Sequence, residues 1–141
     1  MKSPASERGS ASIELAVLTP VVLLVLAVVV AAGRLVTAHA SLDTATAAAA
    51  RAATLARTAP AAQAAAHRAT EHTLDQYGLH CTQQKTTVDT GAFTTAPGQT
   101  ATVTVTASCT VPLADLTPGM PGSVRLSSEF ASPLDPYRER T

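Results

Sequence analysis

The stretch that decides the fold is LAVLTPVVLLVLAVVVAAG, residues 15–33, which contains no charged residue. Nineteen residues at about 1.5 Å per residue give a helix about 28 Å long, close to the roughly 30 Å hydrocarbon thickness of a bilayer. The alternative is the core helix of a soluble protein, but the chain has too few other large apolar side chains to surround it. The stretch therefore predicts one transmembrane helix.

The composition of the remaining chain argues against catalysis. Of the 141 residues, 29 are alanine, aromatic residues make up 3% and tryptophan is absent, so a deep pocket lined by large side chains would be hard to build. Ten basic residues balance ten acidic ones without a basic stripe, which disfavours nucleic-acid binding. The sequence predicts one compact unit that is not an enzyme and carries no cofactor.

The residues around the apolar stretch predict its orientation. Lys2 and Arg8 precede it and favour a cytoplasmic N-terminus, although Arg34 on the other flank weakens this bias. Cys81 and Cys109 both lie in the tail, which agrees with an oxidising compartment in which they could pair and close a loop of about 28 residues. Two unpaired buried thiols are the alternative.

Two processing sites compete. The first is the A-x-A pattern of residues 38–40, before Ser41, which signal peptidase would cut after Ala40 to release a small secreted disulfide-bonded domain. However, the apolar stretch exceeds the usual 7–15 residues of a signal peptide, and Glu14 stands at its very start. Both features favour a helix that stays on the product. An uncleaved single-span envelope interaction protein is a further alternative.

The second site lies in the string RGSASIELA, residues 8–16, which is followed by LTP at residues 18–20 and a run of valine and leucine. This N-terminus resembles that of TadE-like proteins, which are minor pilins or pseudopilins of the tight-adherence branch of type IV pili. The resemblance is close over about residues 8–57 and looser beyond.

The resemblance implies a processing and assembly pathway. A prepilin peptidase would cut after Gly9, leaving Ser10 as the new N-terminus and Glu14 as the fifth mature residue. The other implied partners are further pilins or pseudopilins, membrane lipid and the assembly platform in the cytoplasmic membrane. The product would be a single-pass protein of that membrane with an extracytoplasmic C-terminal domain, reaching the cell surface within an adhesive pilus after assembly.

The residue types suit this chemistry. Gly9 lacks a Cβ, so its backbone can lie extended and close to a protease. Cleavage creates a positively charged α-amino group at the end of an apolar helix. The negatively charged carboxylate of Glu14 can neutralise it, whereas burying either charged group alone would be costly. On this interpretation Glu14 sets the register between subunits. The alternative is a boundary residue that stays in the headgroup region or near the positive end of the helix dipole.

Beyond the membrane the pattern stays helical. Alanine-rich sequence continues the first helix to about residue 59, unless it is merely a low-complexity linker, and Pro20 predicts a kink or a partly melted first segment. Pro60 suits the first turn of a second helix that ends near Tyr77 with Gly78 as its cap.

Strict alternation over residues 101–111 predicts a strand, with Val103, Val105, Ala107, Cys109 and Val111 on one face. Weaker strands are predicted at about 85–90 and 124–131. The fold class is membrane-anchored α+β: a long N-terminal helix, a second short helix and an antiparallel sheet of about three strands. The expected segments are a leader (1–9), a transmembrane helix (10–33), an extracytoplasmic alanine-rich helix (34–59), a small α+β domain (60–132) and an extended tail (133–141).

A metal site is not predicted. His67 and His72 are five residues apart, which rotates them about 140° from each other on a helix and off a common face, so Glu71 between them does not complete a peptidase-type zinc motif. His80 with the two cysteines lacks a fourth ligand and the short spacing of a structural zinc site.

Overall fold

The computed structural model describes residues 8–96 and 98–135, with side chains from residue 13 onward. Most of the leader (residues 1–7) and the end of the tail (residues 136–141) lie outside the described residues. The elements are, in order, α1 (Arg8–Leu55), α2 (Ala59–Gln76), β1 (Gln83–Val88), a 3₁₀ helix (Gly91–Thr94), β2 (Ala101–Pro112), α3 (Leu113–Leu116) and β3 (Ser123–Leu134). The predicted fold class is confirmed.

The chain divides into two compact units, residues 1–34 and residues 35–141, where the sequence predicts only one. Of the first unit, the structure describes one helical segment, whose side chains from Ile13 onward are almost all exposed. The second unit contains the remaining part of α1, the two other helices and the whole sheet.

Helix α2 begins and ends as its sequence predicts. Thr58 caps its start with a side-chain oxygen that accepts from the Ala61 N–H at 3.4 Å, and Pro60 occupies the first turn, where its missing N–H costs nothing. At the other end Gly78 has φ +65°, and the N–H of Leu79 donates to the Leu74 carbonyl at 3.0 Å. This is a Schellman ending, which requires the left-handed conformation that glycine adopts readily.

The sheet is antiparallel with β2 in the centre. In its register Cys109 lies between Gln84 of β1 and Leu126 of β3. The predicted alternation is confirmed, because the five alternate residues from Val103 to Val111 are buried. Helices α1 and α2 cover that face, while the opposite face carries threonines and serines.

Two buried clusters form the core of the second unit. The proximal cluster lies where the chain enters the unit, and the distal cluster lies further along α1. The proximal cluster contains Ala38, Leu42, Ala45, Leu74, Ala107, Cys109, Val111, Leu116 and Leu126. The distal cluster contains Ala49, Ala50, Ala53, Ala62, Ala66, Ala92, Val103, Val105 and Leu134. Because α1 supplies a buried alanine stripe to both clusters, the linker alternative is wrong.

Several boundaries differ from those predicted. Helix α1 ends at Leu55 rather than near residue 59, since Thr58 is extended and caps the next helix. The third strand continues to Leu134, which is buried in the distal cluster, so residues 133 and 134 belong to the sheet rather than to an extended tail. The strand predicted at 85–90 lies at Gln83–Val88, and the short α3 was not predicted.

Candidate functional site

The predicted processing site lies in the first turn of α1. This helix begins at Arg8, so the backbone of Gly9 and Ser10 is helical. A protease that binds extended backbone therefore has to unwind this turn before cutting. Such unwinding is cheap, because helix ends fray and glycine is about 1 kcal/mol poorer than alanine as a helix former.

Glu14 lies one helical turn beyond Ser10. Four residues of α-helix advance about 6 Å along the axis and return to nearly the same face, so an amine on Ser10 and the Glu14 carboxylate would be neighbours. The Glu14 side chain is exposed. It precedes a helical surface that is apolar all round, where thirteen large side chains from Ile13 to Val30 are at least half exposed.

This apolar helical segment is long and apolar enough to cross a membrane, and none of its most apolar window is buried in protein. A core helix of a soluble protein would instead be mostly buried. One such helix near the N-terminus indicates a single-pass membrane protein.

Helix α1 is continuous through Pro20, so of the two expected effects of this proline the partly melted segment is wrong, while the kink stays a prediction. Pro20 has no N–H to donate to the carbonyl of Ala16. The preceding residue, Thr19, donates its hydroxyl to the carbonyl of Leu15 at 2.6 Å, which adds a side-chain hydrogen bond next to the proline without replacing the backbone bond to Ala16.

The rival processing site lies inside the packed part of α1. Ala38 is buried in the proximal cluster, and Ser41 and Leu42 on the other side of the bond are buried too. A cut after Ala40 would divide the helix within the folded unit and remove Ala38 from its core. The neighbouring His39 is exposed and lines a shallow, mostly apolar groove together with Val124 and Leu126 of β3.

Cys81 and Cys109 are joined by a disulfide bond, with Cα atoms 5.3 Å apart. The alternative of unpaired thiols is therefore wrong, since neither of the two cysteines is free. Cys109 is fully buried in the proximal cluster. The bond ties the segment that follows α2 to the central strand, and so holds the helical layer against the sheet.

The histidines do not form a metal centre. His67 and Glu71 form a pair at 3.4 Å between Nδ1 and Oε2, with about half of each side chain exposed. No group of three or more histidine, cysteine, aspartate or glutamate side chains within residues 13–96 and 98–135 is arranged to hold a metal ion.

Two polar contacts that fix the unit could not be found from sequence. The side-chain amide of Gln63 on α2 donates to the Thr86 carbonyl at 2.7 Å and accepts from the Val88 N–H at 3.0 Å, so it caps the free edge of β1 as a neighbouring strand would. The Ser128 hydroxyl donates to Asp43 at 2.6 Å and links β3 to α1. The partners are 23–85 residues apart in sequence, and no local pattern marks them.

A comparison with protein families shows what the N-terminal helix is similar to. Residues 9–51 match the family model of TadE-like proteins. The match begins at the glycine of the predicted processing site, includes Glu14 and the whole apolar stretch, and ends within the packed alanine stripe. The resemblance stated from the sequence is thus confirmed for this segment. No curated protein and no solved structure gives a significant match.

The TadE-like segment supports a minor-pilin-like role connected with a tight-adherence pilus. The remaining residues, 52–141, lie outside the match.

Proposed function

We propose that the chain is a minor pilin or pseudopilin of a tight-adherence type IV pilus, made as a precursor and cut between Gly9 and Ser10 by a prepilin peptidase. One observation carries the proposal. The TadE-like match starts at Gly9 and contains Glu14 at the start of a helix that is apolar all round and exposed.

The chemistry of assembly follows from the geometry of the first helical turns. After cleavage the Ser10 amine carries a positive charge at neutral pH, one turn from Glu14. When the helix leaves lipid and packs among other pilin helices, an unpaired charge on either group would cost several kcal/mol. Pairing Glu14 with the N-terminal amine of an adjacent subunit neutralises both charges and fixes the axial register between the two helices.

The proposed topology places the N-terminus in the cytoplasm and the unit of residues 35–141 outside the cytoplasmic membrane. Lys2 and Arg8 favour this direction. The Cys81–Cys109 disulfide supports it, because such bonds persist in oxidising compartments. The partners are the prepilin peptidase on the cytoplasmic face, other pilins or pseudopilins within the membrane, and the assembly platform.

The secreted-domain alternative is less well supported. Signal peptidase would have to cut between Ala40 and Ser41, in the middle of a helix whose residues on both sides of the bond are core residues of the folded unit. The product would lose the helical turn that contributes Ala38 to the proximal cluster.

To test the cleavage, the chain is expressed in a host that has a tight-adherence system, and the intact mass and N-terminal sequence of the product are measured. The parent should begin at Ser10, and Gly9→Val should accumulate as uncut membrane precursor, because the bulkier residue clashes in the protease. Gly33→Val is the matched control: it makes the same substitution on the same helix, where an added Cβ meets nothing within 4 Å, and it should be processed normally. A product that begins at Ser41, or normal cutting of Gly9→Val, would refute the proposal.

The role of Glu14 is tested by Glu14→Val. This variant should be cleaved normally and anchored in the membrane, but it should be absent from sheared pili, because the N-terminal amine of a neighbour then has no carboxylate to pair with. Glu71→Val, which removes an exposed carboxylate from α2, serves as the control and should be incorporated as the parent is. Incorporation of Glu14→Val at the parental level would remove Glu14 from the mechanism.

A further inference from the structure

The large apolar side chains left exposed on the second unit are not evenly spread. Among its described residues six are exposed, and four of these lie at one end. The six are Leu35, Val36, Leu55, Tyr77, Met120 and Phe130.

Four segments of the chain meet at the end of the unit that carries the proximal cluster. Helix α1 enters there with Leu35 and Val36, which line a groove with Val124 and Leu126 of β3. Helix α2 runs from the distal cluster at Ala62 and Ala66 to the proximal cluster at Leu74, and Tyr77 lies one turn further on.

The connection between β2 and β3 is at the same end. Val111 of β2 and Leu116 of α3 both belong to the proximal cluster. Met120 follows on a turn in which its own N–H donates to the Thr117 carbonyl at 3.2 Å. Residues 116–122 read LTPGMPG and carry no charge. We call Leu35, Val36, Tyr77 and Met120 the proximal ring; their side chains are 39%, 69%, 58% and 49% exposed.

The depth of the proximal ring follows from the length of the chain. The uncharged run of residues 15–33 spans about 28 Å of the roughly 30 Å hydrocarbon layer, so Gly33 lies at the edge of that layer. Two residues span at most about 7 Å, whatever the angle at which the helix meets the unit. The headgroup layer is about 5–8 Å thick on each side, so Leu35 starts the unit within or just above that layer.

We propose that, before assembly, the proximal ring rests in the headgroup region of the bilayer that anchors the chain, with Tyr77 and Met120 inserted into that layer. Exposed apolar side chains that cluster at one end mark an interaction surface, and tyrosine is enriched at membrane interfaces because it has an apolar ring and a polar tip. The proximal ring would have to leave the lipid when the subunit enters a filament.

This proposal rests on the membrane anchoring in the proposed function, but not on cleavage or on assembly. The chain has no tryptophan, so a single introduced tryptophan reports on one position. Full-length Met120→Trp is reconstituted into phosphatidylcholine vesicles at low protein density, with ordinary or brominated acyl chains. We expect blue-shifted emission that the brominated lipid quenches, and the same for Tyr77→Trp.

Two further variants serve as controls. Leu55→Trp replaces the most exposed apolar side chain of the unit, at the opposite end of its helix, and should emit as in water without quenching. Leu24→Trp lies in the apolar run and should be quenched strongly, which establishes that the helix is inserted.

Strong quenching of Leu24→Trp with water-like, unquenched emission from Met120→Trp would overturn the proposal while leaving the anchor intact. A blue shift at Met120→Trp that brominated lipid does not quench, and that grows with protein density, would show that a second protein copy covers the proximal ring, and would also overturn it. Failure of Leu24→Trp to be quenched would refute the anchor and the proposal together. Failure of cleavage after Gly9 would leave the quenching pattern unchanged, and so distinguishes the two proposals.

Discussion

Helices α1 and α2 contribute mainly alanines to the distal cluster, and this makes the stability of the cluster sensitive to any increase in side-chain volume. Ala66 of α2 is fully buried in a distal cluster that also contains Ala49, Ala53 and Ala62, each with no exposed surface. Ala66→Leu adds three carbon atoms to this contact. Overpacking a close-packed core costs about 1–3 kcal/mol. For a domain of about 100 residues this lowers the melting temperature by roughly 4–8 °C per kcal/mol.

The assay is calorimetric unfolding of the full-length protein in detergent micelles under non-reducing conditions. Ala64→Leu provides the matched control, because Ala64 is exposed on the same helix two positions away and leucine is nearly as good a helix former as alanine. Its free energy of unfolding should stay within about 0.5 kcal/mol of the parent value, the usual range for surface substitutions. If Ala66→Leu melts at the same temperature as Ala64→Leu, the two helices do not pack closely, and the alanine stripe is not a core.

Two further predictions concern the second unit. Replacing both Cys81 and Cys109 by serine should lower the free energy of unfolding of this unit by about 3.5 kcal/mol, the chain-entropy value for a 28-residue loop. Calorimetry of this variant beside the oxidised parent measures the difference. Equal melting temperatures would contradict the prediction. Gln63→Ala should lower the free energy of unfolding by about 1–3 kcal/mol, because two backbone groups of β1 lose their partners. It should also speed hydrogen exchange at the β1 edge. The control Gln76→Ala, at an exposed position of the same helix, should do neither. Unchanged exchange in Gln63→Ala would show that the edge is not capped by this side chain.

The parts of the fold that sequence predicts well are those with a long local period. Helix α2 has a cap, a proline and a glycine at defined positions, and β2 alternates over eleven residues, so both elements were located within a residue or two. The end of β3 was missed because Leu134 is held by pairing with Ala101 and by burial in a cluster supplied by distant segments. Four-residue α3 is too short to show any period at all.

The two proposed sites differ in the same way. The Gly9–Ser10 bond and Glu14 lie within six residues of each other at the start of an apolar run, so a single local pattern displays them together. The proximal ring has no such pattern. Tyr77 and Met120 are 43 residues apart in sequence, and only the packing of Leu74 and Leu116 into one cluster brings their segments to the same end of the unit.

The two parts of α1 carry their apolar residues in different ways, and this difference bears on how the protein can work. After residue 35 the buried side chains of α1 form one stripe, small residues apart from Leu42, that packs into the core of the second unit. From Ile13 to Val30 thirteen large side chains point in every direction. Removing such side chains from water is worth about 1.5–3 kcal/mol each, so leaving them in water would cost roughly 20–40 kcal/mol, well above the 5–15 kcal/mol by which a typical domain is stable.

A helix with one apolar stripe would fit either lipid or a single protein neighbour. A helix that is apolar all round can exchange lipid for several pilin neighbours with little change in exposed apolar surface. A charged group within this segment is then costly both in lipid and among pilin helices, unless a group of opposite charge pairs with it. On the proposed function, Glu14 at the start of the segment is therefore the position at which the two surroundings differ most, because in a filament the N-terminal amine of a neighbouring subunit can reach it as well as the amine of its own chain.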